Sequence, residues 1–363
     1  MRITAVTGTI YHQKVAHRPV IPPAFRAGKP THTTLLVRVD TDEGLVGWGE
    51  GFGHYGMAPA TRTALEELVA PRAIGQDPAD ESLASRITDA LYVGSASGPV
   101  AYAISGLDIA LWDLRGKAAG RPVHELLGGA RTDKLKAYAS FSRYGDARVV
   151  EQEGHEAVRR GYPGIKLHEV RRPEIEAGAR VCQAAGLPLM VDANCHWRPA
   201  ELQEVCRWMP PLLWLEEPVW PPENHAALAD LRRRHRVPTA AGECTPSVTD
   251  FERMMALGAV DFAQPSVTKI GGITAMRRVM QQAQRLGVGI APHSPYYGPG
   301  LIATLHLCAA LAPDALVEHL FYDFEGGPFG AAVVPEQGRF ALPHAPGLGV
   351  EPDLRVLREL ADA

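Results

Sequence analysis

PLMVDANCHWRPAELQEVCRWMPPLLWLEEP, residues 188–218, sets an apolar run ending on an acid, then an amphipathic stretch, then a second apolar run ending on two acids. Strand, helix, strand is the repeating unit of a parallel sheet covered by helices. Outward from there, the alternation starts near residue 134 and runs to 320. The strand candidates are KLKAYASF (134–141), GIKLHEV (164–170), PLMVDANC (188–195), LLWLEEP (212–218), PTAAGE (238–243), DFAQPSV (261–267), GVGIAPH (287–293) and ALVEHL (315–320). Helical stretches such as DARVVEQEGHEAVRRG, ITAMRRVMQQAQRLG and PGLIATLHLCAALAP lie between them. Eight strands in about 190 residues predict a (β/α)8 barrel. Its last helix looks curtailed, because the chain beyond 321 is rich in Gly and Pro.

The first third is of mixed character. Residues 3–13 and 34–49 read as strands, and the Pro-rich run between them as a loop. Helical periodicity covers about 60–71, 80–92 and 97–119. The glycines of GWGEGFGHYG (47–56) do not match a dinucleotide-binding turn.

Of the 363 residues, 46% are hydrophobic and 21% charged, which excludes a disordered chain. A net charge of −4 leaves no electrostatic case for nucleic acid. No apolar run reaches the ~18 residues of a membrane span, and MRITAVTGTIYHQ lacks the core of a signal peptide. Five scattered cysteines without a CxxC pair predict free, buried thiols in a cytoplasmic protein.

Barrel chemistry gathers at the C-terminal ends of strands. There the sequence places Lys166 and His168 on the second strand, Asp192 and then Asn194 on the third, and Glu216-Glu217 on the fourth. Glu243 ends the fifth, His293 the seventh, and Glu318 lies on the eighth. Asp192, Glu216 and Glu243 close three consecutive strands. Three carboxylates in one mouth repel unless a hard cation joins them, and an all-oxygen set favours Mg²⁺. Neighbours on a strand face opposite sides, so only one of Glu216 and Glu217 should face such an ion.

SGLDIALWDLRGKAAGRPVHELLGG (105–129), VDAN, LEEP, AGE, KIGG, PHS and the strand bearing Glu318 together resemble the enolase superfamily, mandelate racemase subgroup. The resemblance implies a modified (β/α)7β TIM barrel under an α+β capping domain built from both chain ends. It divides the chain into 1–125 (cap), 126–322 (barrel) and 323–363 (return to the cap). It also implies one Mg²⁺ per chain on Asp192, Glu216 and Glu243, Lys166 and His168 as bases, and a homo-oligomer. Glu318 would donate a hydrogen bond to a substrate carboxylate, which requires it protonated. The expected working state of Lys166 is a lowered pKa, supplied by the metal and a second base.

The pattern is broken twice. His168 stands where the family often has a second Lys, and Ser266 stands where an Asp usually pairs with the His of strand seven. A hydroxyl can hydrogen-bond His293 but lends it no charge, which favours His293 as a proton donor over a second base. Asn194, Ser266 and Lys269, with Arg26, Lys29, His32, His54 and Tyr55 of the cap segments, are expected at the substrate. The resulting expectation is proton abstraction alpha to a carboxylate, with dehydration of an acid sugar or similar 2-hydroxy acid. The alternatives are a racemase or epimerase, a cycloisomerase, and a non-catalytic carboxylate-binding protein.

Overall fold

The computed structural model describes residues 1–16 and 31–361. It opens with an antiparallel sheet of β1 (Ile3–Lys14), β2 (Thr31–Thr41) and β3 (Val46–Gly51), in that order. The single strand read over 34–49 is therefore a hairpin. Gly44 takes φ 80°, a left-handed turn that glycine adopts without strain, and Leu35 to Asp40 pair with Gly51 to Val46. Helices α1 (Ala58–Ala64) and α2 (Ala70–Ala73) join through a π turn, followed by α3 (Leu83–Ala90), α4 (Pro99–Ala119) and α5 (Val123–Leu126). Pro99 starts α4 and Gly120, in the left-handed conformation, ends it.

The barrel alternates as read. It runs β4 (Lys134–Ser140), α6 (Ala147–Arg159), β5 (Ile165–Leu167), α7 (Arg172–Ala185), β6 (Leu189–Asp192), α8 (Leu202–Trp208), β7 (Trp214–Glu216) and α9 (His225–His235). Then come β8 (Thr239–Ala241), α10 (Val248–Ala256), β9 (Phe262–Ala263), α11 (Gly272–Leu286), β10 (Gly289–Ile290), α12 (Pro299–Leu311) and β11 (Leu316–Leu320). No eighth long helix follows. β12 (Arg339–Ala341) pairs antiparallel with β4, and α13 (Leu354–Leu360) ends the described chain. The parallel order is β10-β9-β8-β7-β6-β5-β4-β11, so β10 and β11 meet without a backbone ladder. Among the described residues, no helix is long and apolar enough to cross a membrane.

Inside the barrel Tyr138, Met190, Trp214, Ala240 and Ala291 form a separate buried cluster. Side chains two residues further on share the same face. That step leads to Ser140, Asp192, Glu216, Gly242 and His293, so an apolar floor carries a polar layer directly above it.

Helix α4 is buried on nearly every side because it packs on both bodies. Toward the barrel, Asp108 accepts from Thr274 N (2.9 Å) and Thr274 Oγ1 (2.6 Å) at the start of α11. Asp113 accepts from Trp48 N (2.9 Å) and Leu348 N (2.7 Å) and pairs with Lys117 (2.8 Å), tying the cap sheet to the C-terminal segment. That segment also bridges Val15 at Phe324 and receives Trp48 Nε1 at Glu351 (2.6 Å). From the cap, Glu50 accepts Gly300 N at 2.8 Å, in the first turn of α12. Behind α12, His306 Nε2 donates to Leu348 O (3.0 Å), which leaves Nδ1 to accept from His124 N (3.2 Å) and His124 Nδ1 (3.0 Å). His344 lies edge-on to His124, with Asp133 3.7 Å beyond it.

Two predictions follow from this packing. A Cβ on Gly49 would stand 2.0 Å from Gly106 O, a backbone atom that cannot swing aside. Gly49→Ala therefore costs about 3 kcal/mol or more, read as a lower urea midpoint in the purified protein. Burial, with His124 and His344 adding to it, lowers the His306 pKa from 6.5 to about 3. The unfolded chain takes up that proton first, so this stability is complete above pH 6.5 and falls through the window down to about pH 3, by up to about 1.4 kcal/mol per pH unit. The urea midpoint should drop on acidification in the wild type, and less steeply in His306→Gln.

Candidate active site

Lys166 lies at the centre of the polar layer and is fully buried. Its Nζ is 2.7 Å from Glu216 Oε1, 2.9 Å from Glu318 Oε1 and 3.3 Å from Asp192 Oδ2, with the Tyr138 ring 5.6 Å below. Burial disfavours its charge, but Glu216, Glu318 and Asp192 outweigh burial and hold the ammonium well above its ordinary pKa. The lowered pKa expected from sequence belongs to the metal-bound site; the carboxylates by themselves act in the opposite direction. In this structure Lys166 is the cation that three carboxylates share.

Those carboxylates differ in environment. Glu216 is raised, by burial first and by the nearby Asp192 next, and its second oxygen accepts Trp214 Nε1 at 2.9 Å. Asp192 is lowered: burial opposes its charge, but Lys166 and His168 prevail. Glu318 is lowered too, with Lys166 and His293 overcoming burial. It accepts Ser140 Oγ (2.8 Å) and Ser294 N (3.2 Å). Every partner of Glu318 is a donor, so the protonated, donating Glu318 expected from sequence is not what this structure holds. It is an ionised acceptor.

His168 Nε2 is 3.1 Å from Asp192 Oδ2, and Nδ1 hydrogen-bonds Phe141 O. With an acceptor at each nitrogen, the protonated ring is favoured. Burial opposes this, but Asp192 raises the pKa above the ordinary value.

Across the mouth, His293 Nε2 lies 2.7 Å from Glu243 Oε2. Burial would raise Glu243, but His293 brings it down to about 2. On the other side of the ring, Nδ1 is 3.3 Å from Ser266 Oγ and 3.4 Å from Tyr296 OH, and those two hydroxyls hydrogen-bond each other. A ring that donates from Nε2 to Glu243 accepts at Nδ1 from this hydroxyl pair. Tyr296 was not found from sequence: it follows the seventh strand in a loop, where no period marks its direction. Trp214 was also missed, although it stands two residues before Glu216, on the same face.

The three acids read as one group are divided here. Asp192 and Glu216 share Lys166, while Glu243 is turned to His293. Among the described residues, no three His, Cys, Asp or Glu side chains stand together as a metal cluster. The donor set nonetheless suits a hard divalent ion. The oxygens lie on adjacent strands, with Asp192 paired to Glu216 in register, and three carboxylates share one ammonium, leaving negative charge in excess. Glu217 turns away, as the alternation requires. Its carboxylate accepts Gly242 N at 2.9 Å and the Cys195 thiol at 3.8 Å.

The remaining residues are more scattered. Asn194 is exposed, and its backbone N–H caps Asp192 Oδ1 at 2.9 Å. Lys269 Nζ lies 4.8 Å above the Phe52 ring. His54 stacks on Phe52, meets His32 edge-on at 4.4 Å, and comes within 5.6 Å of the Tyr296 ring. Tyr55 is exposed. Arg26 and Lys29 lie outside the described residues.

Comparison with known proteins agrees with this architecture. Residues 149–356 match the family described as enolase C-terminal domain-like, and residues 5–128 match the mandelate racemase / muconate lactonizing enzyme N-terminal domain. The chain is 32% identical to D-galactarolactone cycloisomerase of Agrobacterium fabrum, over 99% of this chain and 98% of that protein. It is 33% identical to D-galactonate dehydratase of Verminephrobacter eiseniae, over 87% of this chain and 88% of that protein. The structure of L-talarate dehydratase from Polaromonas sp. JS666, complexed with Mg and L-glucarate, superimposes with a TM-score of 0.84. It shares 27% identity and covers 100% of this chain and 98% of its own.

Tyr296→Phe leaves Ser266 as the sole hydroxyl at His293 Nδ1. Turnover should fall roughly tenfold with little change in KM, since the hydroxyl orients a proton-transferring group. Steady-state kinetics of the variant beside Ser266→Ala and the double variant measures this.

Proposed function

The chain belongs to the enolase superfamily, in its mandelate racemase/muconate lactonizing enzyme group, and we propose that it is a Mg²⁺-dependent acid-sugar dehydratase. The observation that carries the reading is the surplus of carboxylate around Lys166, opposite a histidine steadied by neutral hydroxyls.

Asp192, Glu216 and Glu243 would hold the ion, which when bound supplies a Lewis acid for the substrate carboxylate and the enediolate made from it. With Asp192 and Glu216 so engaged, Lys166 keeps Glu318 as its remaining acidic partner. Burial, the first influence on its pKa, then favours the neutral amine, a base at the alpha carbon. His168, just beyond the end of β5, would serve as the second base on that face once Asp192 is engaged by the ion and no longer favours the protonated ring. From the opposite side a doubly protonated His293 would give its Nε2 proton to the departing β-hydroxyl, which leaves as water, while its Nδ1–H donates to the hydroxyls of Ser266 and Tyr296. Ser266 and Tyr296 hold the ring through Nδ1 without adding charge. Hydroxyls rather than a carboxylate face Nδ1, so the His–Asp pair of a second base is missing, which suits elimination more than a symmetric two-base racemisation.

The substrate class is supported by the cap. His32 is buried and His54 half-buried, and burial lowers both, His32 to about 4. Their Nε2 atoms have no hydrogen-bond partner among the described residues. Neutral imidazoles with a free nitrogen suit the hydroxyls of a sugar acid.

Cycloisomerisation of a lactone is the second reading, favoured by the 32% identity to the A. fabrum enzyme across almost the whole chain. The two differ at His293. Hydroxide needs a proton to leave, whereas a lactone carboxylate departs without one. With Mg²⁺ and a panel of acid sugars and their lactones, the expected product is a 2-keto acid, absent after chelation or in Glu243→Ala. Lys166→Ala should reduce exchange of the substrate alpha proton with D₂O by on the order of a thousandfold. His293→Asn should reduce dehydration by a similar factor. A lactone turned over equally well by His293→Asn would select the cycloisomerase instead.

A further inference from the structure

Two thiols stand beside this site without a part in the chemistry above. The sequence predicts buried cysteines, and Cys182 and Cys308 are buried, but Cys244 is exposed and Cys195 and Cys206 are intermediate. Cys244 follows Glu243 directly, and Cys195 lies three residues beyond Asp192. Asn194 and Cys195 take φ 45° and 57°, consecutive left-handed residues that fold the loop after β6 back across β7. There Cys195 N donates to Glu217 O at 2.6 Å, and its Sγ lies 3.8 Å from Glu217 Oε2. From the other side, Gly242 N, two residues before Cys244, donates to Glu217 Oε1. The loops after β6 and β8 thus meet over one glutamate, and there the Cys195 and Cys244 thiols are near enough that each is the first influence on the other.

We propose that Cys195 and Cys244 are a redox modification site, oxidised by a peroxide to an intrachain disulfide that stops turnover and is reversed by a dithiol. The exposed Cys244 sulfur attacks one peroxide oxygen. The O–O bond breaks, one water leaves, and Cys244 becomes a sulfenic acid. The Cys195 sulfur then displaces that hydroxyl, which takes the Cys195 proton and leaves as the second water. Two thiols and one hydrogen peroxide give one disulfide and two waters, and the two electrons pass from sulfur to peroxide oxygen. A disulfide holds its two Cβ atoms about 3.8 Å apart in a fixed dihedral range. Neighbouring thiols must draw closer to form it, and they pull on the loop that follows Asp192 and on the loop that carries Glu243. The effect on turnover rests on those two acids being the working carboxylates, as in the dehydratase reading. Formation of the bond does not.

The experiment exposes the full-length protein to hydrogen peroxide, then measures free thiols, maps cross-linked peptides by mass spectrometry, and assays turnover before and after dithiothreitol. The expected result is loss of two thiols, a peptide linking Cys195 to Cys244, and turnover reduced by up to about a hundredfold, the penalty of a ~1 Å misplacement in a catalytic site. Dithiothreitol reverses all three. Cys195→Ser and Cys244→Ser keep the activity of the reduced protein and resist peroxide. A wild type that forms no such linkage, a linked protein that retains full turnover, or variants as sensitive as wild type would each overturn the proposal. A linked peptide in a protein whose reduced form acts on no acid sugar would instead count against the dehydratase reading and leave the modification site standing.

Discussion

One ammonium against three carboxylates, inside a barrel, is the constraint around which the rest is arranged. Desolvating each of these charges costs several kcal/mol; Lys166 offsets one, His168 beside Asp192 part of another, and the raised Glu216 is drawn toward its neutral form. The apolar layer of Tyr138, Met190, Trp214, Ala240 and Ala291 beneath keeps the dielectric low and makes the imbalance felt. Hydrogen bonds supply part of the compensation: Trp214 to Glu216, Ser140 and Ser294 to Glu318, and the Asn194 N–H to Asp192. What remains is a site rich in carboxylate oxygen. It is also a site in which the protonation of Lys166 answers to what the neighbouring acids are doing.

The cap is fixed to this arrangement by buried carboxylates. Asp108 and Asp113, less than two turns apart on α4, reach in opposite directions, one to a barrel helix and one to the returning C-terminal segment. Glu50 makes a third junction, from β3 to the helix that follows the His293 loop. At each junction the acid accepts backbone N–H groups that would otherwise be buried without partners, as structural economy requires. The cap and the polar layer of the barrel are therefore positioned by one hydrogen-bonded frame. His54, on the cap, and Tyr296, on the barrel, can meet ring to ring because of it.

Much of this was legible in the sequence because the barrel's period is strict. Apolar runs of the right length alternate with amphipathic ones, and a strand ending on a charged residue tells which way that residue points. Lys166, Asp192, Glu216 and His293 could be placed by that rule alone. The hairpin at Gly44 was hidden because apolar residues continue through both strands, leaving only Asp-Glu-Gly to mark the turn. Tyr296 was hidden because a loop has no period. The ionisation of Glu318 was misjudged for a different reason: charge state depends on how many neighbours share a partner, a three-dimensional count that no linear spacing records. The exposed Cys244 belongs to the same class, since cysteine's preference for burial is a statistic and the end of a barrel strand is a particular place.

The seam between β10 and β11 bears on how position 318 can change. Elsewhere around the barrel a backbone ladder joins neighbouring strands whatever side chains they carry. At this one gap, Ser294 reaches Glu318 instead, through its N–H to the carboxylate and its hydroxyl to the Glu318 carbonyl. The side chain that answers to Lys166 also closes the wall. A new substrate preference that called for another residue at 318 would have to find a substitute for the join as well as for the charge. The scaffold is thus freer to diversify at its rim loops than at this strand, and inheritance at position 318 is tied to architecture as much as to chemistry.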